Sequence, residues 1–150
     1  MTSPVRPQGC TNLKLRQLTR MTTREYDRHI REAGLKSTQY ALLSYVVRLG
    51  PIRPGDLARE ARMEASTLTR NLRPMVEHGW LTIGAGDDAR SRLVEATDAG
   101  RAKQAEGQRA WKAAQLALNE RLGTERVAAL HELLDDCMAR LDAHAEDGAG

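Results

Sequence analysis

The chain has 150 residues, with 23 Lys and Arg against 20 Asp and Glu, a formal net charge of +3. This length predicts one compact domain, or one such domain with an assembly region. Aromatic residues make up 3% of the chain and Phe is absent, so aliphatic side chains must build the core, which favours packed helices over a sheet sandwich. The sequence contains no run of about 18 apolar residues, which excludes a hydrophobic membrane-spanning helix.

The charges are unevenly distributed along the chain. Residues 1–92 carry 16 Lys and Arg against 9 Asp and Glu, whereas residues 93–150 carry 7 against 11. The basic first part indicates a polyanionic partner, and the acidic remainder indicates a different role. The two cysteines, Cys10 and Cys137, are too few for a disulfide framework and predict a reducing, cytoplasmic location.

The first part of the chain is predicted to be helical after a short leader. Residues 1–10 contain no apolar run, so we expect a disordered leader rather than a signal peptide. The helices are defined by the spacing of apolar residues, by Gly34 and Gly50-Pro51 at helix ends, and by Pro54 at a helix start. They are predicted over residues 11–33, 37–49 and 54–61 and, after a tight turn at 62–66, over 67–78.

The fourth predicted helix has an apolar face and a polar, basic face. The apolar stripe follows the i, i+4, i+7, i+8 spacing of a buried helix face and comprises Leu68, Leu72, Met75 and Val76. The other side carries Ser66, Thr67, Arg70, Asn71 and Arg73. Pro74 removes the backbone hydrogen bond to Arg70 and predicts a bend near the end of this helix.

The remainder of the chain predicts a hairpin and two long helices. Two short β-like runs, 80–83 and 93–96, flank a charged, glycine-containing loop. Thr97 or Asp98 can cap a helix that is interrupted by Gly123, and Thr124 can cap a last helix to about residue 144. Within that helix a 3, 4, 3, 4 spacing forms a heptad seam that requires a partner helix, at Val127, Leu130, Leu134, Cys137 and Leu141. Residues 146–150 are predicted to be a disordered tail.

The third and fourth helices outline a helix-turn-helix motif, in which the second helix enters the DNA major groove. Small hydroxyl residues permit close approach to the duplex, and arginines can make bidentate bonds to guanine or contact phosphates. We therefore predict that double-stranded DNA is contacted by Ser66, Thr67, Thr69, Arg70 and Arg73. The hairpin is then a wing: Arg90 is predicted to enter the adjacent minor groove, Asp88 to hold it, and Arg92 to contact DNA as well.

The order of these motifs resembles the MarR family of bacterial winged-helix regulators over about residues 12–145. Three segments carry the resemblance: "GLKSTQYALLSYV", "DLAREARMEASTLTRNLRPMVEHGWL" and "DDARSRLVEATDAG". The individual marks are weak alone but stand in order and at the right spacing: Gly34-Leu35, Gln39, Asp56-Leu57-Ala58, Thr69-Arg70, Gly79-Trp80-Leu81, Asp88-x-Arg90 and Thr97-x-x-Gly100.

The resemblance implies a mainly α (α+β) fold that forms a homodimer on a pseudo-palindromic operator. Residues 37–97 would form the winged helix-turn-helix lobe, and residues 11–36 and 98–145 a helical dimerisation base. The heptad seam of the last helix independently favours dimerisation. Members of the family usually repress genes and release DNA on binding small phenolic or aromatic carboxylate ligands, or on thiol oxidation.

The family's ligand pocket lies between the dimer base and the lobe. In this sequence that position implicates Arg16, Arg20, Tyr26, His29, Tyr45 and Trp111. An Arg or His beside an aromatic ring can receive an aromatic carboxylate.

Oxidation of a cysteine is an alternative signal. Cys10 lies just before the first helix, about two residues out of register with the sensing cysteine of peroxide-responsive members. Tyr26 matches one of the tyrosines that accompany that cysteine, whereas Ser37 stands where another is usual. Cys137 lies on the heptad seam and is expected to be a buried core thiol.

The sequence gives little support for an enzyme. The histidines are scattered, and His131 with Asp135 lacks a third partner for a metal site. We expect no catalytic residues, no cofactor and no bound metal. The alternative of another class is a helical protein-interaction module that does not read DNA.

Overall fold

The computed structural model describes residues 4–84 and 92–148. Asp88 and Arg90 therefore lie outside the described residues. The chain divides into two compact units, Met1–Ala114 and Gln115–Gly150. Among the helices of the described residues, none is both long and apolar enough to cross a bilayer.

The first unit consists of helices followed by a small hairpin. Its elements are α1 (Thr11–Ile30), a 3₁₀ turn (Arg31–Ala33), α2 (Ser37–Leu49), α3 (Pro54–Glu60), α4 (Ala65–Glu77), β1 (Leu81–Ile83), β2 (Val94–Ala96) and the first part of α5 (Asp98–Leu122). The peptide bond between Gly50 and Pro51 is cis. The mainly helical fold with a winged lobe agrees with the prediction.

Several element boundaries differ from the sequence-based predictions. The α-helical geometry of α1 ends at Ile30, and Gly34 closes the 3₁₀ turn with a left-handed φ of 73°. Helix α4 begins at Ala65, so Ser66 belongs to the helix and not to the turn before it. Each strand begins one residue later than predicted because Trp80 and Leu93 lie outside the ladder.

The hairpin is the base of the wing. Its two strands pair antiparallel, with Leu81 opposite Ala96 and Ile83 opposite Val94. Ile52, between α2 and α3, adds a third edge by exchanging two backbone hydrogen bonds with Val94, at 3.1 and 2.8 Å. These bonds attach the hairpin to the helices in front of it.

One apolar core holds the first unit together. The largest side chains with less than 2% exposure are Ile30, Leu43, Val46, Leu57, Leu68, Met75, Leu81 and Val94. Val76 is 37% exposed, which corrects its predicted place in the stripe. Leu68, Leu72 and Met75 already fill the buried face of α4, and Val76 lies 100° further around the helix from Met75.

The second unit contains the end of α5, Gly123, and α6 (Thr124–Asp147). Along the predicted seam Val127 is buried, whereas Leu141 is 71% exposed. Cys137 is exposed, so the prediction of a buried core thiol is wrong for the single chain. The reason is its position: all side chains from residue 135 to residue 145 are exposed. Residues 146 and 147 continue α6, which corrects their assignment to a disordered tail.

Candidate nucleic-acid interface

Helix α4 presents a polar face away from the core. Leu68, Leu72 and Met75 are buried on one side. On the other side Thr67 is half-buried, and the predicted DNA-contacting residues Ser66, Thr69, Arg70 and Arg73 are exposed. The hydroxyl of Thr69 donates to the Ala65 carbonyl at 3.0 Å, which leaves its oxygen lone pairs available as acceptors. Four of the five predicted residues in α4 are thus free to approach a duplex.

The turn before α4 is fixed by backbone hydrogen bonds to α3. Leu57 and Ala58 bury α3 against the core. The Met63 amide donates to the Ala58 carbonyl at 2.8 Å, and the Arg62 amide donates to the Arg59 carbonyl at 3.1 Å. These bonds set the direction in which the chain enters α4. The arrangement of a short helix, a tight turn and an exposed polar helix is a helix-turn-helix.

The exit of α4 is fixed by contacts with the start of α5. Thr97 caps α5 because its Oγ1 accepts from the Gly100 amide at 3.0 Å, and the same hydroxyl donates to the Gly79 carbonyl at 2.6 Å. The ring of His78 stacks on Trp80 with centroids 4.5 Å apart, and the ammonium of Lys103 lies 5.9 Å from the Trp80 ring centroid. The Thr97-x-x-Gly100 motif therefore joins the end of α4, the hairpin and α5.

Only the base of the wing belongs to the described residues. Arg92 is exposed next to β2, and its contact with DNA stays a prediction. Asp88 and Arg90 fall outside the described residues, and their roles stay predictions.

A cavity of about 490 Å³ lies between α1, α2 and α5 within the first unit. Its lining is rich in aromatic rings and includes Tyr26, Tyr40, Tyr45, Trp111, Arg48, Ser44 and Gln104. The Arg48 guanidinium lies 5.4 Å from the centroid of the Tyr45 ring. Gln104 Nε2 donates to Ser44 Oγ at 3.4 Å. Burial raises the pKa of the Tyr26 phenol above its ordinary value, which keeps its hydroxyl protonated and able to donate.

Half of the predicted ligand residues line this cavity. Tyr26, Tyr45 and Trp111 do so. Arg16 and Arg20 are exposed on α1, His29 is half-buried, and none of the three contributes to the lining. Arg48 is a cationic residue of the lining, and the sequence patterns did not indicate it as a ligand residue. Its spacing could have indicated it, because Arg48 follows Tyr45 by three residues and two such residues lie on the same face of a helix.

A carboxylate of α1 holds the first turn of α2 beside this cavity. Asp27 Oδ1 accepts from the Ser37 amide at 3.0 Å and from the Ser37 hydroxyl at 2.6 Å. Ser37 itself lines the cavity. The pair therefore joins α1, the cavity wall and the first helix of the lobe.

The candidate redox and metal residues show simpler surroundings. Cys10 is exposed at the N-cap of α1, where its sulfur accepts from the Leu13 amide at 3.4 Å. His131 and Asp135 are exposed on α6. Within the described part of the chain, no group of three or more His, Cys, Asp or Glu side chains is placed to hold a metal ion.

Comparison with known proteins agrees with this geometry. A model described as MarR family matches residues 33–91. The M. tuberculosis transcriptional regulator MosR, in a crystal structure in complex with DNA, is 29% identical, with a TM-score of 0.68 over 86% of this chain and 98% of that chain. A probable transcriptional regulator from Pseudomonas aeruginosa is 26% identical, with a TM-score of 0.75 over 85% and 96% of the two chains.

The part of the chain that carries the helix-turn-helix thus resembles the MarR family. The resemblance carried by the sequence motifs is thereby confirmed. A further relative, the uncharacterized HTH-type transcriptional regulator YwoH of Bacillus subtilis (strain 168), is 27% identical over 84 residues. That match covers 56% of this chain and 61% of the relative, which is less than two thirds of the relative's length. Members of the MarR family are DNA-binding transcriptional regulators and not enzymes, and this chain resembles them in sequence and fold.

Proposed function

We propose that this chain is a member of the MarR family and acts in the cytoplasm as a homodimeric repressor of transcription. It binds a pseudo-palindromic operator and is released by a small aromatic carboxylate. The observation that carries the proposal is the exposed polar face of α4, opposite a buried face of Leu68, Leu72 and Met75. A helix that is anchored in this way can enter the major groove without loss of core packing.

Arg70 and Arg73 supply the strongest recognition chemistry on that face. Both are exposed, and arginine pairs bidentately with guanine O6 and N7 or with phosphate oxygens. Ser66 and Thr69 add short donors and acceptors beside them. Arg90 and Arg92 of the wing complete the proposed contacts, in the adjacent minor groove.

The homodimer is supported by large apolar side chains at the surface of each unit. In α1, Leu13 is 52% exposed and Met21 is 62% exposed. In the second unit Leu116, Leu133 and Leu141 are 64%, 63% and 71% exposed. Covering such side chains with a second chain would remove apolar surface from water and so favour association. A second copy is the partner that we propose to cover residues of the predicted dimerisation regions, 11–36 and 98–145.

The ligand-dependent step is supported by the cavity beside α2. Its aromatic walls can stack on a flat ring, and Arg48 can bind a carboxylate. Helix α2 belongs to the lobe that carries α4. A ligand that binds more tightly to one position of α2 than to another would therefore shift the lobe towards that position, and operator affinity would change by the ratio of the two ligand affinities.

The proposal is tested by fluorescence-anisotropy titration of a labelled duplex from upstream of the chain's own gene. The titration is repeated at several salt concentrations, with random-sequence DNA as competitor. We expect specific binding that weakens steeply with salt. The proposal is contradicted if random DNA abolishes binding at every salt concentration, both for the upstream duplex and for fragments from the whole genome. The chain would then not bind a specific operator.

A second signal, oxidation of Cys10, is favoured by one observation: the thiol is exposed at the start of α1. Peroxide treatment of the protein–DNA complex tests it. Release that is abolished in Cys10→Ser supports this alternative, whereas release that persists in Cys10→Ser, or no release from the wild type, rejects it.

A further inference from the structure

A small polar cavity lies between the first turn of α2 and helix α4. Its volume is about 110 Å³, and this α2–α4 cavity is lined by Lys36, Thr38, Gln39, Leu42, Asn71 and Pro74. Small-molecule sites usually enclose about 300–1,000 Å³, so the cavity is too small for a ligand of that kind. At about 30 Å³ for each water molecule, it has room for a group the size of about three to four waters, which is the scale of the oxygens of one phosphate.

The lining of the α2–α4 cavity offers hydrogen-bond donors and one positive charge. It contains no Asp or Glu. Lys36 contributes an ammonium, which takes part in no ion pair within residues 4–84 and 92–148. Gln39 Oε1 accepts from the Lys36 amide at 2.9 Å, so the side-chain nitrogen of Gln39 remains as a donor. Thr38 and Asn71 add a hydroxyl and a second amide. These groups together fit an anion.

The positive charge of the cavity comes from a side chain and not from the start of the helix. The backbone amide of Lys36 is bonded to Gln39, and the amide of Ser37 donates to Asp27 Oδ1 at 3.0 Å. The Asp27 carboxylate also accepts from the Ser37 hydroxyl and lies outside the lining. The ammonium of Lys36 is therefore the group that would attract an anion to this cavity.

The α2–α4 cavity borders the polar face of α4. Asn71 follows Arg70 by one residue, so it lies about 100° further around the helix, on the side of α2. An α-helix with its side chains is about 10–12 Å across, and the major groove of DNA is about 12 Å wide. A helix that occupies the groove therefore fills it, and residues beside the helix meet the phosphates of the groove wall. Lys36 and Thr38 are exposed at this flank.

We propose that Lys36 and Thr38 bind one phosphate of the operator backbone at the α2–α4 cavity, with the Asn71 amide as a further donor. This inference rests on the proposed DNA binding and adds a contact from α2, outside both the helix-turn-helix and the wing. The bond from the Lys36 ammonium is charge-assisted and is the stronger of the two. The contact fixes the register and orientation of α4 and carries no base preference.

Two substitutions remove the charge and the hydroxyl separately. Lys36→Gln keeps a polar side chain without the charge, and Thr38→Val keeps the branched shape without the hydroxyl. Lys36→Arg retains the cation, and Lys112→Gln, at an exposed lysine of α5, is the matched control. Each variant is measured by thermal unfolding and by anisotropy titration across salt concentrations. The titrations use the upstream duplex and a random-sequence duplex of equal length.

We expect Lys36→Gln to weaken binding to both duplexes by a similar factor, about tenfold at moderate salt. In a dimer, the slope of log affinity against log salt concentration should flatten by about 1.8, which is one phosphate for each copy. Thr38→Val should weaken binding to both duplexes by about threefold at an unchanged slope, because the hydroxyl carries no charge. Lys36→Arg and Lys112→Gln should retain most of the wild-type affinity and slope, and Tm should stay the same in all four variants.

Each contrary result has a distinct meaning. Wild-type affinity and salt slope in Lys36→Gln would overturn the phosphate contact while leaving the proposed function in place. A lower Tm in Lys36→Gln would show that Lys36 serves the fold, and weaker binding to the upstream duplex alone would assign it to base reading; both would overturn the contact. Calorimetric binding of inorganic phosphate that is lost in Lys36→Gln, with DNA binding unchanged, would assign the cavity to a free anion instead. No salt-dependent binding of either duplex by the wild type would overturn the proposed function and this inference together.

Discussion

Gly100 packs directly against the backbone of Trp80, so closely that a Cβ atom at Gly100 would overlap the Trp80 carbonyl group. The obstacle is main chain, which cannot rotate aside as a side chain can. Replacement of Gly100 by alanine must therefore separate α5 from the chain segment that leaves α4. We expect Gly100→Ala to lower the free energy of unfolding by about 3 kcal/mol.

The matched control for this prediction is Gly55→Ala in α3. A Cβ at Gly55 has no neighbour within 4 Å, and its φ is compatible with alanine. Because alanine has less backbone freedom in the unfolded chain, Gly55→Ala should stabilise the protein by about 0.4–1 kcal/mol. Urea denaturation measures both variants, and equal effects at the two glycines would contradict the close contact.

Substitution of Arg70 should lower both affinity and specificity for the operator. We expect Arg70→Ala to cost about 1–3 kcal/mol of binding to the specific duplex and to relax the preference at one base pair of each half-site. Anisotropy competition with single-base-pair operator variants measures both effects. An affinity loss that is equal on random DNA would show that Arg70 contacts phosphate rather than a base.

Arg48, rather than the arginines of α1, should determine binding of an aromatic acid. The probe is 2-hydroxybenzoate, with the uncharged 2-hydroxybenzamide for comparison, and quenching of Trp111 fluorescence reports occupancy because Trp111 lines the cavity. Arg48→Ala should weaken binding of the acid by about tenfold and leave the amide nearly unchanged. Arg16→Ala, outside the lining, is the control, and an effect there equal to that of Arg48→Ala would reject the assignment.

An acidic residue in place of Leu141 should weaken the proposed dimer without damage to the fold of the single chain. Leu141 is 71% exposed, so a charge there meets water in the monomer but meets apolar surface in a dimer. We expect Leu141→Glu to raise the dimer dissociation constant at least about tenfold at unchanged helix content, and Leu141→Met to have little effect. Sedimentation-equilibrium and circular-dichroism measurements give the two quantities.

The raised pKa of Tyr26 makes a prediction at alkaline pH. Burial favours the neutral phenol in the folded state. The contribution of Tyr26 to the free energy of unfolding is therefore fully present below the ordinary pKa of 10.0, and it is lost as pH rises through the higher pKa of the folded state. The ultraviolet titration step that disappears in Tyr26→Phe should therefore be centred above pH 10.0. If the titration step that is lost in Tyr26→Phe is centred at or below pH 10.0, the hydroxyl is not buried.

The sequence was informative where local chemistry decides the structure. Helix α2 has the predicted bounds because Gly50-Pro51 cannot continue a helix, and the two faces of α4 follow from apolar spacing alone. Arg48 was missed because periodicity within one helix does not show which neighbours enclose a cavity. Arg62 has a φ of 52°, which the sequence did not indicate because only a glycine there would have suggested a left-handed backbone. Exposure of Cys137 and Leu141 depends on which helices pack together, and a heptad pattern does not identify the partner.

The paired hydrogen bonds between Asp27 and Ser37 affect how α2 can move relative to α1. One carboxylate oxygen accepts both bonds from one residue, so a displacement that stretches the first also stretches the second. Separation of the first turn of α2 from α1 therefore has to break two hydrogen bonds to one carboxylate oxygen, and each of these is stronger than a bond between neutral groups.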